Sequence, residues 1–277
     1  MDLRQLLPEP AITFLRKIKN VSPNLRKAAA DLAERLLGKM GLAVFAYRPD
    51  YHYCPQLYGT NHHKLLDIRD QEVFGKLARE VIGHGKTLLS YDRLYYLYQA
   101  VCHVSRTNPS AHLAEVGVYK GGGTYFIAAA VDKLFGEKPL IHSFDTFTGH
   151  PPDIDSELDG RHTPGLFADT SFAEVRQYLS GFDNVHLYQG RFQDRCHEVS
   201  GRRFGFLHLD VDIFSATRDC LDFFRDLLDP GGIIIVDDYG FTTCKGSKAA
   251  VDNFTKERTD FLKVHLETGQ CLLVRIS

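Results

Sequence analysis

From residue 111 onward, short apolar runs alternate with segments of helical spacing. The runs are His112–Val116, Leu140–Phe144, Val185–Tyr188, Phe206–Leu209 and Ile233–Val236, and the helical stretches are about 122–135, 171–180, 215–228 and 246–258. That alternation predicts a mostly parallel sheet with helices on both faces. Two further runs, Phe261–Leu266 and Cys271–Ile276, face each other across Thr268-Gly269. They read as a hairpin that adds an antiparallel edge, giving an α/β fold with a seven-stranded sheet. In open sheets of this kind, ligands bind beyond the carboxyl ends of the strands.

The rest of the sequence bounds the function classes. A chain of 277 residues, 44% hydrophobic and 25% charged, has the composition of a soluble globular protein able to bury a large core. A formal net charge of −2 gives no support to a general nucleic-acid binder. No stretch approaches the roughly 18 consecutive apolar residues of a membrane span. The opening Met-Asp-Leu-Arg lacks the basic and apolar regions of a secretory leader. Six scattered cysteines without a C-x-x-C pair fit a reducing, cytoplasmic setting.

Residues 1–86 read as an N-terminal helical extension and lid. Ser22-Pro23 forms a helix start, and Leu25, Ala29, Leu32 and Leu36 recur at helical spacing. The first 40 residues hold eight basic and four acidic side chains, so this head is basic. It reads as a helix packed on its own protein or on a dimer mate, which leaves a homo-oligomer open; a membrane-surface helix is the other reading. Residues 45–70, with Tyr47, Tyr51, Tyr53, Tyr58 and the pair His62-His63, look irregular. The histidine pair reads as exposed loop, with metal binding the sharper alternative. Helical periodicity returns over 70–107, as in Leu94, Leu97, Tyr98 and Val101.

The residues that follow each strand carry the chemistry. After the first comes Glu115-Val-Gly117-Val-Tyr-Lys-Gly121-Gly122-Gly123-Thr124, which opens a helix. It matches neither the dinucleotide fingerprint nor a Walker loop. Asp145 ends the second strand, 28 residues after Gly117. There it is placed either to accept hydrogen bonds from ribose hydroxyls or to cap a loop. The fourth strand ends Leu209-Asp210-Val211-Asp212 and the fifth Val236-Asp237-Asp238-Tyr239. If these strands are neighbours, four carboxylates meet at one end of the sheet. Oxygen ligands without thiolate suit a hard cation such as Mg²⁺. Asp237 and Asp238 point apart in extended chain, so both reach one ion only if the strand has already turned into loop.

Taken together, Glu115-x-Gly117-x-x-x-Gly121-Gly122, Asp145-x-Phe147-x-Gly149, Leu209-Asp-x-Asp212 with Ser215-x-Thr217, and Pro230-Gly-Gly-x-x-x-x-Asp-Asp-Tyr239 resemble the macrocin O-methyltransferase family. The resemblance covers about residues 87–277, the expected methyltransferase domain. It implies a Rossmann-like class I fold and an S-adenosylmethionine-dependent, Mg²⁺-dependent enzyme that methylates a sugar hydroxyl of a glycoside or natural product. Glu115, Gly117, Gly121 and Gly122 would hold the methionine part of the cofactor and Asp145 the ribose. Phe147, Ser171 and Phe192 would lie around ribose and adenine, and Thr87 would touch the cofactor, with Leu88 where the family has Met. Asp210, Asp237 and Asp238 would be metal ligands and Asp212 the general base. The chain departs from the family at Ile213–Thr217, where Leu-Tyr-Glu-Ser-Thr is usual. It departs again at His150, which follows Gly149 where Leu-Pro is commoner.

Three other readings compete. A metal-dependent glycosyltransferase would use Asp210-x-Asp212 with Mn²⁺ and a nucleotide-sugar, leaving the glycine loop and Asp145 without roles. A catechol-type O-methyltransferase would share the chemistry but not the acceptor. A binding protein on the same sheet would have no need of intact carboxylates.

Overall fold

The computed structural model describes residues 72–155 and 157–277. The Ser22-Pro23 helix, the 45–70 segment and His62-His63 lie outside them. Two helices, α1 (Glu72–Gly83) and α2 (Tyr91–Thr107), precede β1 (His112–Val116), α3 (Gly122–Leu134), β2 (Ile141–Asp145), α4 (Phe172–Tyr178) and β3 (Val185–Gln189). Then come a short α5 (Phe192–Arg195) running into a 3₁₀ turn, β4 (Phe204–Leu209), α6 (Phe214–Phe224), β5 (Leu228–Val236), α7 (Lys245–Thr255) and the hairpin β6 (Phe261–His265) and β7 (Cys271–Arg275). Among the described residues no helix is long and apolar enough to cross a membrane.

The seven strands are ordered β3-β2-β1-β4-β5-β7-β6, the first five parallel and β7 antiparallel to both of its neighbours. Strand order reverses direction between β1 and β4, which makes their carboxyl ends the crevice for a ligand. Alternation along the inner strands splits the core between two faces. Leu113, Phe206, Ile233 and Ile235 pack under α1, α2 and α3, while Ala114, Leu207, Ile234 and Val236 pack under α6 and α7. The boundary drawn at 86/87 falls between α1 and α2, and both helices share one core with α3 through Phe74, Leu97 and Phe126.

Helix α6 corrects one expectation. The apolar spacing predicts helix to residue 228, but α6 ends at Phe224, and Leu228 begins β5 opposite Phe204. The carbonyls released there find other donors: Arg275 Nη1 donates to Arg225 O and Leu228 O, both at 2.7 Å. The helical turn at 192–199 carries no periodic signal in the sequence.

On the sheet, His142 sits between His112 and Tyr188. Its Nε2 lies 2.8 Å from His112 Nδ1 and its Nδ1 lies 2.9 Å from the Tyr188 hydroxyl. Burial, with His112 and His186 nearby, holds its pKa down to about 3. The unfolded chain therefore takes up a proton below its ordinary value near 6.5, while the folded chain resists it. Stability from this group is present at neutral pH and is lost as pH falls from about 6.5 towards 3. We expect the urea midpoint to drop over that window, and His142→Asn to flatten the drop.

Candidate active site

The carboxyl ends of β1, β2, β4 and β5 open into a cavity of about 380 Å³, within the roughly 300–1,000 Å³ range of ligand pockets. Its walls come from the loops after these strands and from Lys86–Leu89 and Arg93 at the start of α2. Gly117 adopts φ +94°, and a Cβ there would run into the backbone carbonyl of Asp210. Asp210 N also donates to Val116 O at 2.9 Å. The loops after β1 and β4 are thus in direct backbone contact, which only glycine permits. Among the described residues, three of the four non-glycine positions with positive φ, Tyr119, Phe167 and Asp212, line this cavity, so backbone strain gathers there.

Asp145 combines both of its readings. Its Oδ2 accepts from Val118 N and Tyr119 N, each at 2.7 Å, and its Oδ1 accepts from Phe147 N at 2.6 Å. The carboxylate therefore braces the glycine loop, yet it still lines the cavity. A carboxylate has about four lone-pair positions, so one remains for a ligand.

Glu115 lines the cavity from a buried position on β1. It is opposite His208 in register, and His208 Nδ1 donates to its Oε1 at 2.9 Å. The Thr124 hydroxyl also donates to Glu115, and burial nevertheless pushes the Glu115 pKa up. His208 Nε2 lies 3.5 Å from Asp237 Oδ1, which accepts from Gln270 Nε2 at 2.8 Å. Arg93 pairs with Asp237 and lies 3.8 Å from Asp238 Oδ1.

The four aspartates therefore divide, as the alternation of an extended strand requires. Asp210, Asp212 and Asp238 crowd together on the cavity side. Burial and mutual repulsion push all three pKa values up. Asp238 Oδ2 is buried without a hydrogen-bond partner. Crowded, buried, oxygen-only donors with an unused lone pair fit a hard divalent cation, which relieves the repulsion that otherwise keeps protons on them. Asp237 faces Arg93, His208 and Gln270 instead, although Asp237, Asp210 and His208 each offer an atom within 4.8 Å of the others.

The other sequence candidates fall into two groups. Thr87 and Phe192 line the cavity. Gly121, Gly122, Phe147 and Ser171 stand behind its wall. Gly121 is the left-handed N-cap of α3, and Gly122 backs onto Lys86 and Thr87. Phe147 packs with Val118, Val175 and Leu179. Ser171 caps α4, accepting from Glu174 N at 3.3 Å and donating to Glu174 Oε2 at 2.9 Å. Arg93, His208 and Gln270 were missed. Only His208, a polar residue inside an apolar strand run, carried a local signal.

Residues 43–265 match the sequence model of the macrocin-O-methyltransferase (TylF) family. A Streptomyces olivaceus protein, 8-demethyl-8-(2,3-dimethoxy-alpha-L-rhamnosyl)-tetracenomycin-C 4'-O-methyltransferase, is 26% identical over 61% of this chain and 68% of its own. Mycinamicin III 3''-O-methyltransferase of Micromonospora griseorubida is 27% identical over 57% of this chain and 67% of its own. Among solved structures, the O-methyltransferase NovP shares the fold with a TM-score of 0.64 and 20% identity, over 74% of this chain and 98% of that one.

Removing Arg93 strands the buried Asp237 charge, a loss worth about 3–5 kcal/mol when one partner of a buried pair is deleted. We expect Arg93→Met to lower urea stability by that order, and Arg93→Met with Asp237→Asn to recover part of it.

Proposed function

The chain belongs to the macrocin O-methyltransferase family and is an S-adenosylmethionine-dependent O-methyltransferase, and from that premise we propose that it methylates a sugar hydroxyl of a glycoside or related natural product. The observation that carries this reading is the convergence of two unlike walls on one cavity. Glu115, Gly117 and Asp145 form one, and Asp210, Asp212 and Asp238 the other.

S-adenosylmethionine supplies a methyl group on a sulfonium sulfur, open to in-line attack by an acceptor oxygen. Glu115 and Gly117 take its methionine end, with Gly121 and Gly122 shaping the loop. Asp145 accepts from the ribose through its remaining lone pair. Thr87 and Phe192 form the surrounding wall, and Phe147 and Ser171 support it from behind. Asp210 and Asp238 would hold Mg²⁺, which would supply positive charge that lowers the pKa of a nearby hydroxyl by several units; Asp237, expected as a third ligand, is turned to Arg93, His208 and Gln270 instead.

Asp212 takes the proton from the acceptor hydroxyl. It lines the cavity beside Asp210 and Asp238, where an acceptor hydroxyl would lie. Its backbone leaves the strand conformation there, with φ +62°. The catalytic domain in this reading includes α1, which shares its core, and so begins before residue 87. The five cysteines among the described residues are free thiols, which suits a cytoplasmic enzyme.

Calorimetric titration with S-adenosylmethionine should give micromolar binding that Asp145→Ala weakens at least tenfold; no heat at millimolar cofactor would sink the cofactor assignment. Asp212→Asn should retain that binding and lose about 10²–10⁴ in kcat, the usual contribution of a positioned base. MgCl₂ should raise the melting temperature of the parent protein but not of Asp238→Asn.

A further inference from the structure

The segment between β2 and α4 brings one imidazole, His150, to the wall of the same cavity, with a second, His162, against it. His150 Nε2 lies 3.1 Å from His162 Nδ1 and 3.5 Å from Asp212 Oδ2. One donor atom from each of the three residues lies within 4.8 Å of the other two. Ligands bonded to one ion at about 2.0–2.1 Å stand roughly 3.0–3.4 Å apart, so the spacing is close to the edge length of a coordination shell.

The tautomer of His162 favours this use. His162 Nε2 lies 3.1 Å from Thr243 O, so it carries the proton and Nδ1 presents a lone pair towards His150 and Asp212. A ring whose far N–H is tied to a backbone carbonyl is the arrangement that ligating histidines show. The segment is also fastened in place: Asp159 accepts from Phe214 N at 3.1 Å, tying it to the start of α6.

We propose that His150, His162 and Asp212 form a second cation site, selective for a transition ion of the Zn²⁺ class. Two imidazoles and one carboxylate with an open position are the donor set of such ions, whereas the neighbouring oxygen-only cluster suits Mg²⁺. An ion held here takes a lone pair from the carboxylate assigned as base, so its occupancy opposes proton removal. That consequence rests on the function proposed above; the site itself does not.

The test uses the full chain in excess MgCl₂, with Zn²⁺ affinity read by competition against a chromophoric chelator and no methyl donor present. His162→Gln and His150→Gln should each weaken zinc binding at least about tenfold, while Asp238→Asn keeps it. Unchanged affinity in both histidine variants would overturn the site. So would loss of zinc in Asp238→Asn alone, which would place the ion among the carboxylates. Thermal melts of the same samples report folding, and if one histidine variant fails to fold the other carries the test. Failure of the methyltransferase reading appears separately, in the cofactor titration.

Discussion

Burying negative charge at the inner end of a sheet is the constraint on which the rest of this molecule depends. Glu115 and Asp237 are almost wholly inaccessible, and Asp238 nearly so. An ion removed from water without compensation costs several kcal/mol. The fold meets that cost with groups from distant parts of the chain. Helix α2 delivers Arg93, β4 delivers His208, and the turn before β7 delivers Gln270. Each of these elements packs through an apolar surface, and each also carries one polar side chain to the same place.

The result is a polar line beneath the cavity, running from Thr124 through Glu115 and His208 to Asp237 and Gln270. It crosses β1, β4 and the end of β5, the strands on either side of the switch point. Glu115 stands under one wall of the cavity and Asp237 under the other. In a low-dielectric interior such chains act as units, so a change at one end is felt at the other. The two walls are mechanically linked through the sheet and electrically linked below it.

Much of this was legible in the sequence because strands and their tips are local patterns. The five parallel runs, the closing hairpin and the carboxylates at the ends of the fourth and fifth strands follow from spacing that the sheet then enforces. The helix drawn to residue 228 failed because Leu227 and Leu228 fit a helical period and a strand equally well, and only pairing with Phe204 decides between them. The division of Asp237 from Asp238 was implicit in strand alternation, but its partner was not. Arg93 lies 144 positions before Asp237 and has no motif around it. His162 sits in a loop whose path depends on Asp159 reaching α6. Contacts of that kind are set by tertiary packing and leave no periodic trace.

The order of strands has a consequence for how the molecule assembles. Strand β7 lies inside the sheet, between β5 and β6, although it follows both in sequence. Until residues 271–275 have been made, β5 presents an open row of backbone donors and acceptors, which is a surface prone to pairing with another chain. Asp237 likewise lacks Gln270 until the same stretch arrives. During synthesis, then, the sheet edge and the buried acid are protected by one late event, and a chain stalled shortly before residue 270 would combine an unpaired strand with an unsatisfied charge.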